Sequence, residues 1–342
     1  MKRGPVILSV LVSFVFIALV ALIVAFKPPR DPLFLGVPES QWIAELKYHD
    51  SEQTEAWRGY GDEGVAVLSR GYYQACRPMA LAYRRAYREI SPLLPDLIAS
   101  RLPHPKGDVT RSLRMRIVSL LTNLGHQSLS PLPTVVDALK DEDHSVRGWA
   151  ATFFSAGEGE EAPITRIDST LKAELLPLFV AGLSTRDSPF RNNCAVVLRY
   201  YPEAGEDLAP ALLSAMVTSK GNHTRMTAAT ALRFVALERA KQADAVGKVI
   251  EILNDPDAQN SHRAAEWLEK VAGSPELSVP ALIEATTFES SLTAPRAARA
   301  LGSFPEWREK TIPVLENLAA TQTGWMKRYS ELALERLGHA SD

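Results

Sequence analysis

Three of the seven histidines recur at comparable places in the chain and are the first candidates for metal binding. His144, His223 and His262 each stand in a short polar stretch that precedes a run of apolar residues. A zinc site needs three or four ligands within about 2–2.3 Å of one ion. If these histidines belong to successive repeats of packed helices, neighbours are separated by roughly a helix diameter of 8–10 Å. The sequence therefore predicts no metal site, and the polarity of turns accounts for these histidines.

Acidic pairs and cysteines are the other residues that could do chemistry. Asp141-Glu142-Asp143 and Glu160-Glu161 are interpreted as solvated carboxylates of a turn and a loop, because no pocket places them as an acid–base pair. Cys76 and Cys194 stand far apart and form no Cys-x-x-Cys motif. The sequence also lacks a Gly-x-Ser-x-Gly motif and a glycine-rich phosphate loop. We therefore expect no catalytic residue, no cofactor site and no enzymatic activity.

The strongest chemical signal is a basic stretch from Arg70 to Arg116, in a chain whose formal net charge is only −2. This stretch holds ten basic and three acidic residues, a net charge of +7, with tyrosines between the arginines. Three interpretations are open: a solvated face with inward tyrosines, a surface for anionic lipid or an acidic protein partner, and a surface for nucleic acid, which the sequence favours least. The candidate anionic-partner surface consists of Arg84, Arg85, Arg88 and Arg114.

Helical repeats must position these residues, because self-similar segments run from Leu132 to the C-terminus. A proline serves as the origin of each segment, and Gly247 fills one slot. The origins are spaced by 44, 33, 37, 33 and 33 residues, a range typical of two-helix repeats: Pro133, Pro177, Pro210, Gly247, Pro280 and Pro313. Proline favours the first turn of a helix, so these prolines are predicted to open the first helix of each pair. Apolar residues two, three and six positions later indicate one buried face.

A small residue seventeen or eighteen positions after each origin marks the second helix of each pair: Ala150, Cys194, Ala228, Ala264, Ala297 and Ser330. Four positions further stand Phe154, Leu198, Leu232, Leu268, Leu301 and Leu334. Small side chains allow two helices to approach closely, so Cys194 is interpreted as a buried small residue and not as a reactive thiol. Turns such as Asn222-His223-Thr224, Asn260-Ser261 and Thr293-Ala294-Pro295 are predicted to supply N-cap side chains.

Before Leu132 the pattern is weaker. Ile117, Leu120, Leu121 and Leu124 are predicted to face a core, and Trp42, Ile43 and Leu46 to form a helix that caps the array. The segment from Gly157 to Thr170 is interpreted as an exposed loop.

The segment Asp143-x-x-Val146-Arg147-x-x-Ala150-Ala151 carries a family resemblance. With its echoes after Arg191, Arg225, Arg296 and Arg328, it resembles HEAT repeats, above all the short bacterial type also found in phycobilisome-lyase-like proteins. The resemblance is strong from about residue 130 to 338 and weaker from 40 to 129. It implies an α-solenoid whose concave face, lined by second helices, binds proteins or peptides. An enzyme or chromophore-handling protein of the lyase-like group is the alternative that it leaves open.

The N-terminal run from Val6 to Phe26 contains no charged residue and has the length of about 20 residues that a membrane-spanning helix needs. A cleavable signal peptide is the rival interpretation, but the end of the run fits the small-residue cleavage rule poorly. Lys2 and Arg3 weakly favour an N-terminus inside and the bulk of the chain outside the cytoplasm.

The sequence thus predicts an all-α protein, an armadillo/HEAT-like solenoid of antiparallel helix pairs preceded by one transmembrane helix. Its predicted parts are a short tail at 1–5, an anchor at 6–26, a proline-rich linker at 27–38, degenerate helical repeats at 39–129 and a HEAT-repeat solenoid at 130–342. The predicted function is that of a membrane-anchored, non-catalytic scaffold that binds a protein or peptide in its concave groove.

Overall fold

The computed structural model describes residues 31–48, 50–76, 107–125, 128–155, 162–186, 188–255 and 260–338. These residues form an all-α solenoid with one small hairpin at its N-terminal end. The predicted tail at 1–5 and the predicted transmembrane helix at 6–26 lie outside these ranges. Among the helices within them, none has both the length and the apolar character needed to cross a bilayer.

A two-stranded hairpin closes the N-terminal end of the solenoid. Strand β1 (Leu33–Phe34) pairs antiparallel with β2 (Val37–Pro38) through Leu35 and Gly36, whose φ angles of 51° and 78° fit a tight two-residue turn. Phe34 is buried and its ring packs edge-on against Trp42. The prediction of a linker at 27–38 was therefore wrong for residues 33–38, because the side chain of Phe34 anchors them to the folded core.

Three helices follow the hairpin: α1 (Glu39–Ala44), α2 (Ser51–Gly59) and α3 (Gly61–Ala75). The predicted capping helix is confirmed, since Ile43 of α1 and Leu46 beyond it are buried. A Cβ atom added to Gly71 would lie 2.7 Å from Cδ1 of Ile43, so α1 packs directly on the backbone of α3. Helix α4 (Gly107–Leu124) buries the predicted side chains of Ile117, Leu120, Leu121 and Leu124.

The residues described from 132 onwards form six helix pairs. The first helices are α5 (Leu132–Ala138), α8 (Ser169–Gly182), α10 (Gly205–Thr218), α13 (Ala243–Leu253), α15 (Pro275–Ala285) and α17 (Arg308–Thr321). Their second helices are α6 (His144–Ser155), α9 (Ser188–Leu198), α11 (Asn222–Val235), α14 (Ser261–Val271), α16 (Thr293–Leu301) and α18 (Gly324–Arg336). Two short helices, α7 (Pro163–Arg166) and α12 (Leu237–Ala240), lie between pairs, as do two 3-10 turns.

The small residue predicted at the centre of each second helix is confirmed. All six of these side chains have 0% exposure, from Ala150 to Ser330, and the six apolar side chains four positions later are at most 2% exposed. In the second pair a Cβ atom on Gly182 would collide with Sγ of Cys194. Cys194 thus packs against the bare backbone of α8, as its interpretation as a small buried residue requires.

The prediction that prolines open the first helices holds for Pro133 and was wrong for four others. Pro177, Pro210, Pro280 and Pro313 all lie inside their helices. The helices begin upstream because other residues start them; for α8, the Asp168 carboxylate accepts hydrogen bonds from the backbone N–H groups of Thr170 and Leu171. Each interior proline removes one main-chain hydrogen bond from its helix.

Two further predictions need correction. Part of the segment from Gly157 to Thr170 is not an exposed loop, because helix α7 lies within it and the side chain of Ile164 is buried. The turn residues before the second helices do not act as N-cap side chains in α11, α14 and α16. They instead join neighbouring repeats: the Ser261 and Thr293 hydroxyls lie 2.7 Å apart, and Nδ2 of Asn222 donates to Asp255 at 2.6 Å.

The second helices form the inner layer of the solenoid. Consecutive second helices pack closely on one another from α6 to α11 and again from α14 to α18, with a sparser contact between α11 and α14, whereas consecutive first helices make few contacts throughout. Because elements on the inside of a curved array are closer together, the second helices line its concave side. We call the side of this layer that faces away from the first helices the inner surface.

Candidate binding surface

The predicted anionic-partner surface is only partly within the described residues. Arg84, Arg85 and Arg88 lie outside them. Arg114 is described, and its assignment to a surface was wrong: its side chain is 2% exposed and its guanidinium lies 3.2 Å from Asp141. Helix α4 packs between α3 and α6 and so directs Arg114 into the interior.

Asp141 is the centre of a buried polar cluster. Its carboxylate accepts hydrogen bonds from the hydroxyl of Tyr72 at 2.9 Å and from the backbone N–H of Asp143 at 2.8 Å. Asp141 is therefore not solvated, which corrects the interpretation of this turn. Burial and the Asp141 charge raise the pKa of Tyr72. Burial lowers the pKa of Arg114, but the charge of Asp141, together with smaller contributions from Cys76 and Glu142, raises it on balance, so the guanidinium stays charged.

Cys76 borders this cluster at the end of α3. Burial raises the pKa of its thiol. A thiol reacts as its thiolate, so this environment makes Cys76 a poor nucleophile. The polar cluster therefore connects α3 and α4 to the turn of the first helix pair.

The other described arginines of the basic stretch also contact groups of the protein itself. Arg70 pairs with Glu39 at 2.6 Å, and Arg111 pairs with Asp143 at 2.6 Å. Arg116 donates to the backbone carbonyl of Leu46. These cations fix the N-terminal helices to one another and to the first repeat.

The three predicted turn histidines lie in the first turns of α6, α11 and α14. Nδ1 of His223 accepts a hydrogen bond from Arg263 at 3.2 Å. Burial and the nearby Arg263 charge lower the pKa of His223, and burial and Arg296 lower that of His262. In the described part of the chain, no group of three or more His, Cys, Asp or Glu side chains could hold a metal ion.

Three arginines that belong to the repeated Val-Arg motif or its echoes have a structural role. Arg147 donates to the carbonyl of Asp141 at 2.8 Å, Arg191 to that of Thr185, and Arg225 to that of Met216 at 2.7 Å. Each guanidinium thus satisfies a carbonyl at or just beyond the end of the first helix in its own pair, where no intrahelical partner exists.

Charge is separated between the two layers of the solenoid. Within their helical bounds, the six second helices carry eleven basic and four acidic residues, while the six first helices carry four basic and ten acidic residues. The inner layer is therefore positive and the outer layer negative, although the whole chain is nearly neutral. The basic stretch at 70–116 drew attention to the N-terminal region, but this separation extends along the entire array.

The four acidic residues of the inner layer lie only in its C-terminal half. Glu269 pairs with both Arg299 at 2.6 Å and Arg336 at 2.7 Å, and Glu266 pairs with Arg296. Helices α6, α9 and α11 contain no acidic residue. The net charge is +4 over the N-terminal half and +3 over the C-terminal half, so the two halves differ in their acidic residues and hardly in their net charge.

Two adjacent repeats in the N-terminal half present an arginine followed by an aromatic residue, at the same distance after the small central residue. Arg199 lies 4.6 Å from the ring centroid of Tyr200, just beyond α9, and Arg233 lies 4.3 Å from that of Phe234, in the last turn of α11. We call these the Arg–aromatic pairs. No described carboxylate lies within 4.0 Å of either guanidinium. Burial lowers the pKa of Arg233.

A separate cavity of about 300 Å³ lies beside the N-terminal hairpin. Trp42, Trp57 and Tyr60 form one wall, and polar residues that include Lys47 and Asp50 form the other. Lys47 and Asp50 form an ion pair at 3.4 Å, and Glu45 and Glu52 leave this wall with a net negative charge.

Comparison with known proteins supports the repeat assignment for the C-terminal part. Residues 246–335 match the family model for HEAT repeats. Two engineered proteins with crystal structures from the Northeast Structural Genomics Consortium are similar to the chain. One is 20% identical, with 60% of this chain and 95% of that chain covered and a TM-score of 0.46; the other is 18% identical, with 88% and 95% covered and a TM-score of 0.49. No curated protein matches the sequence.

Proposed function

We propose that this protein is a non-catalytic scaffold that holds a protein partner on its inner surface. HEAT repeats generally serve as binding scaffolds, and residues 246–335 match them. Stacked helix pairs create an extended concave surface without any dedicated pocket. The proposal does not depend on a reactive group, because it needs only a continuous surface with the right charge and shape.

The separation of charge between the two layers carries this proposal. Stability of a helix pair requires apolar residues at the interface but does not require one helix to be basic and the other acidic. Surface charge of one sign steers an oppositely charged partner and selects against others. The inner layer therefore has the electrostatic character of a recognition surface, and the outer layer would repel the same partner.

We also propose that residues 6–26 anchor the protein in a membrane, with the bulk of the chain outside the cytoplasm. The uncharged run supports this proposal. A second support is the hairpin that follows it, where Leu33 and Leu35 are 67% and 63% exposed. Exposed leucines this near an anchor are suited to the apolar boundary of the bilayer.

Lysine crosslinking in native membranes, followed by mass spectrometry, tests the scaffold proposal. Lys270 and Lys327 lie on second helices, and Lys248 and Lys310 lie on first helices and provide a matched control. We expect crosslinks to a partner protein at the second-helix lysines. Crosslinks confined to the first-helix lysines would contradict the proposal.

A further inference from the structure

We propose that the Arg–aromatic pairs, Arg199–Tyr200 and Arg233–Phe234, form a binding site for an acidic peptide segment of the partner. This inference rests on the proposed scaffold function and names the chemistry that the inner surface recognises. Its four residues lie in neighbouring repeats, and therefore about 8–10 Å apart from one helix to the next.

The position of these residues directs them to the inner surface. Arg233 stands five residues after Ala228, whose side chain is fully buried in the core of the helix pair. At 3.6 residues per turn, five residues rotate a side chain by about 140° from that direction. Arg199 has the same offset from Cys194. The Arg233 guanidinium thus points away from the core that α11 shares with α10, and Arg199, in the turn just beyond α9, is partly exposed.

The guanidinium groups are held in an orientation that suits binding of a carboxylate. Each lies against an aromatic ring, which covers part of the guanidinium and restricts its rotation. A guanidinium held in this way can still donate two parallel hydrogen bonds to a carboxylate. Since Arg233 is half-buried with no described carboxylate beside it, a carboxylate from a partner would supply the missing counter-charge.

Apolar contacts are available next to the charges. Phe234 is 51% exposed and Leu237, three residues later in the chain, is 42% exposed, so exposed apolar area follows Arg233 directly in the sequence. Exposed aromatic and arginine side chains are the residue types that contribute most to protein interfaces. A segment that alternates acidic and apolar residues satisfies both features.

Charge balance favours a peptide over a nucleic acid. Affinity for nucleic acid comes mainly from many phosphate contacts, and the chain has a formal net charge of −2 with an acidic outer layer. The uncompensated cations of the Arg–aromatic pairs are confined to two repeats. A short acidic segment matches this extent, whereas a polyanion would meet the Glu266 and Glu269 side chains further along the inner layer.

Fluorescence anisotropy of the full chain in mild detergent tests the site. The probe is a short labelled peptide of alternating Asp, Glu and Phe, and the matched peptide of Asn, Gln and Phe is its control. We expect the acidic peptide to bind, the neutral peptide not to bind, and Arg199→Glu with Arg233→Glu to weaken binding by about tenfold or more. Arg308→Glu with Lys310→Glu makes the same charge change on first helix α17 and should leave binding unchanged.

Equal affinity of the wild type and the Arg199→Glu/Arg233→Glu variant would overturn the site, as would equal weakening by the α17 variant. The unfolding midpoint of each variant shows whether it is folded. If the Arg199→Glu/Arg233→Glu variant does not fold, the variant with Arg199→Gln and Arg233→Gln, which removes the charges without reversing them, takes its place. Tighter binding of a single-stranded oligonucleotide, abolished by the same variant, would overturn the peptide assignment. If no peptide binds while Lys270 and Lys327 still crosslink to a native partner, this inference fails and the scaffold proposal stands.

Discussion

The guanidinium of Arg114 and the carboxylate of Asp141 lie 3.2 Å apart in the interior, with side-chain exposures of 2% and 1%. This ion pair joins α4 to the turn between α5 and α6, so it connects the degenerate N-terminal helices to the first regular repeat. Tyr72 of α3 donates to the same carboxylate and extends the connection by one helix.

Asp141→Asn is expected to lower the free energy of unfolding by about 3–5 kcal/mol, because it leaves the Arg114 charge buried without its partner. The measurement is urea unfolding of the full chain in detergent. Glu142→Gln serves as the control: Glu142 lies 3.7 Å from the same arginine, but its side chain is 41% exposed, so a change below about 1 kcal/mol is expected. Equal losses of unfolding free energy for the two substitutions would show that burial does not determine how much these ion pairs contribute to stability.

Ala228→Leu is expected to destabilise the protein by about 1–3 kcal/mol, because there is no space for three more carbon atoms between α10 and α11. Ala228 is fully buried, while Thr230, two positions along the same helix, is partly exposed. Thr230→Leu is the matched control and should change the unfolding midpoint little. A fully stable Ala228→Leu variant would mean that the helices of this pair are not in close contact.

Stability is expected to fall as the pH is lowered through about 6.5, the ordinary histidine pKa. The folded chain lowers the pKa values of His223 and His262, so the unfolded chain binds protons first as the pH falls. The contribution of these histidines to the unfolding free energy is therefore fully present above the unfolded-state pKa, and it is lost as the pH falls through the folded-state pKa values. Arg263 and Asn260 face His223, and Arg296, Arg263 and Glu266 surround His262.

The measurement is the unfolding free energy between about pH 7.5 and 5.5, above the range in which exposed carboxylates titrate. The variant with His223→Gln and His262→Gln should have a flatter profile than the wild type. Identical slopes would exclude these two histidines as the source of the pH dependence.

A reporter fused after Asp342 tests the proposed orientation. An enzyme that folds actively only outside the cytoplasm should be active at this position if residues 6–26 form an anchor with its N-terminus inside. Removal of residues 6–26 should abolish that activity and release the protein from the membrane fraction. Activity of a cytoplasm-only reporter at the same position would contradict the orientation.

The repeat architecture could be predicted from the sequence because close helix packing restricts side-chain size at a fixed position. Ala150, its five equivalents and the apolar residue four positions later stand out for that reason. The helix starts could not be read from proline alone. A proline inside a helix costs one hydrogen bond, and the upstream caps and packing offset that loss, as Asp168 does for α8.

The candidate surface was less predictable. A count of charge along the chain identifies the stretch from Arg70 to Arg116, but it does not show that Arg114 points inward. That direction depends on packing between α3, α4 and α6, which join residues far apart in sequence. The charge separation between the layers becomes visible only when charges are assigned to first and second helices, and Arg199 and Arg233 then emerge as a pair.

Site-specific photo-crosslinking tests the central claim, that the partner lies on the inner surface, most directly. A photoreactive amino acid is placed at Thr230, on the inner surface of α11, or at Ser214, an exposed position on first helix α10. In native membranes, we expect Thr230 to crosslink to one partner protein, through an acidic segment of it, and Ser214 to give no such product. A partner captured from Ser214 and not from Thr230 would contradict the account.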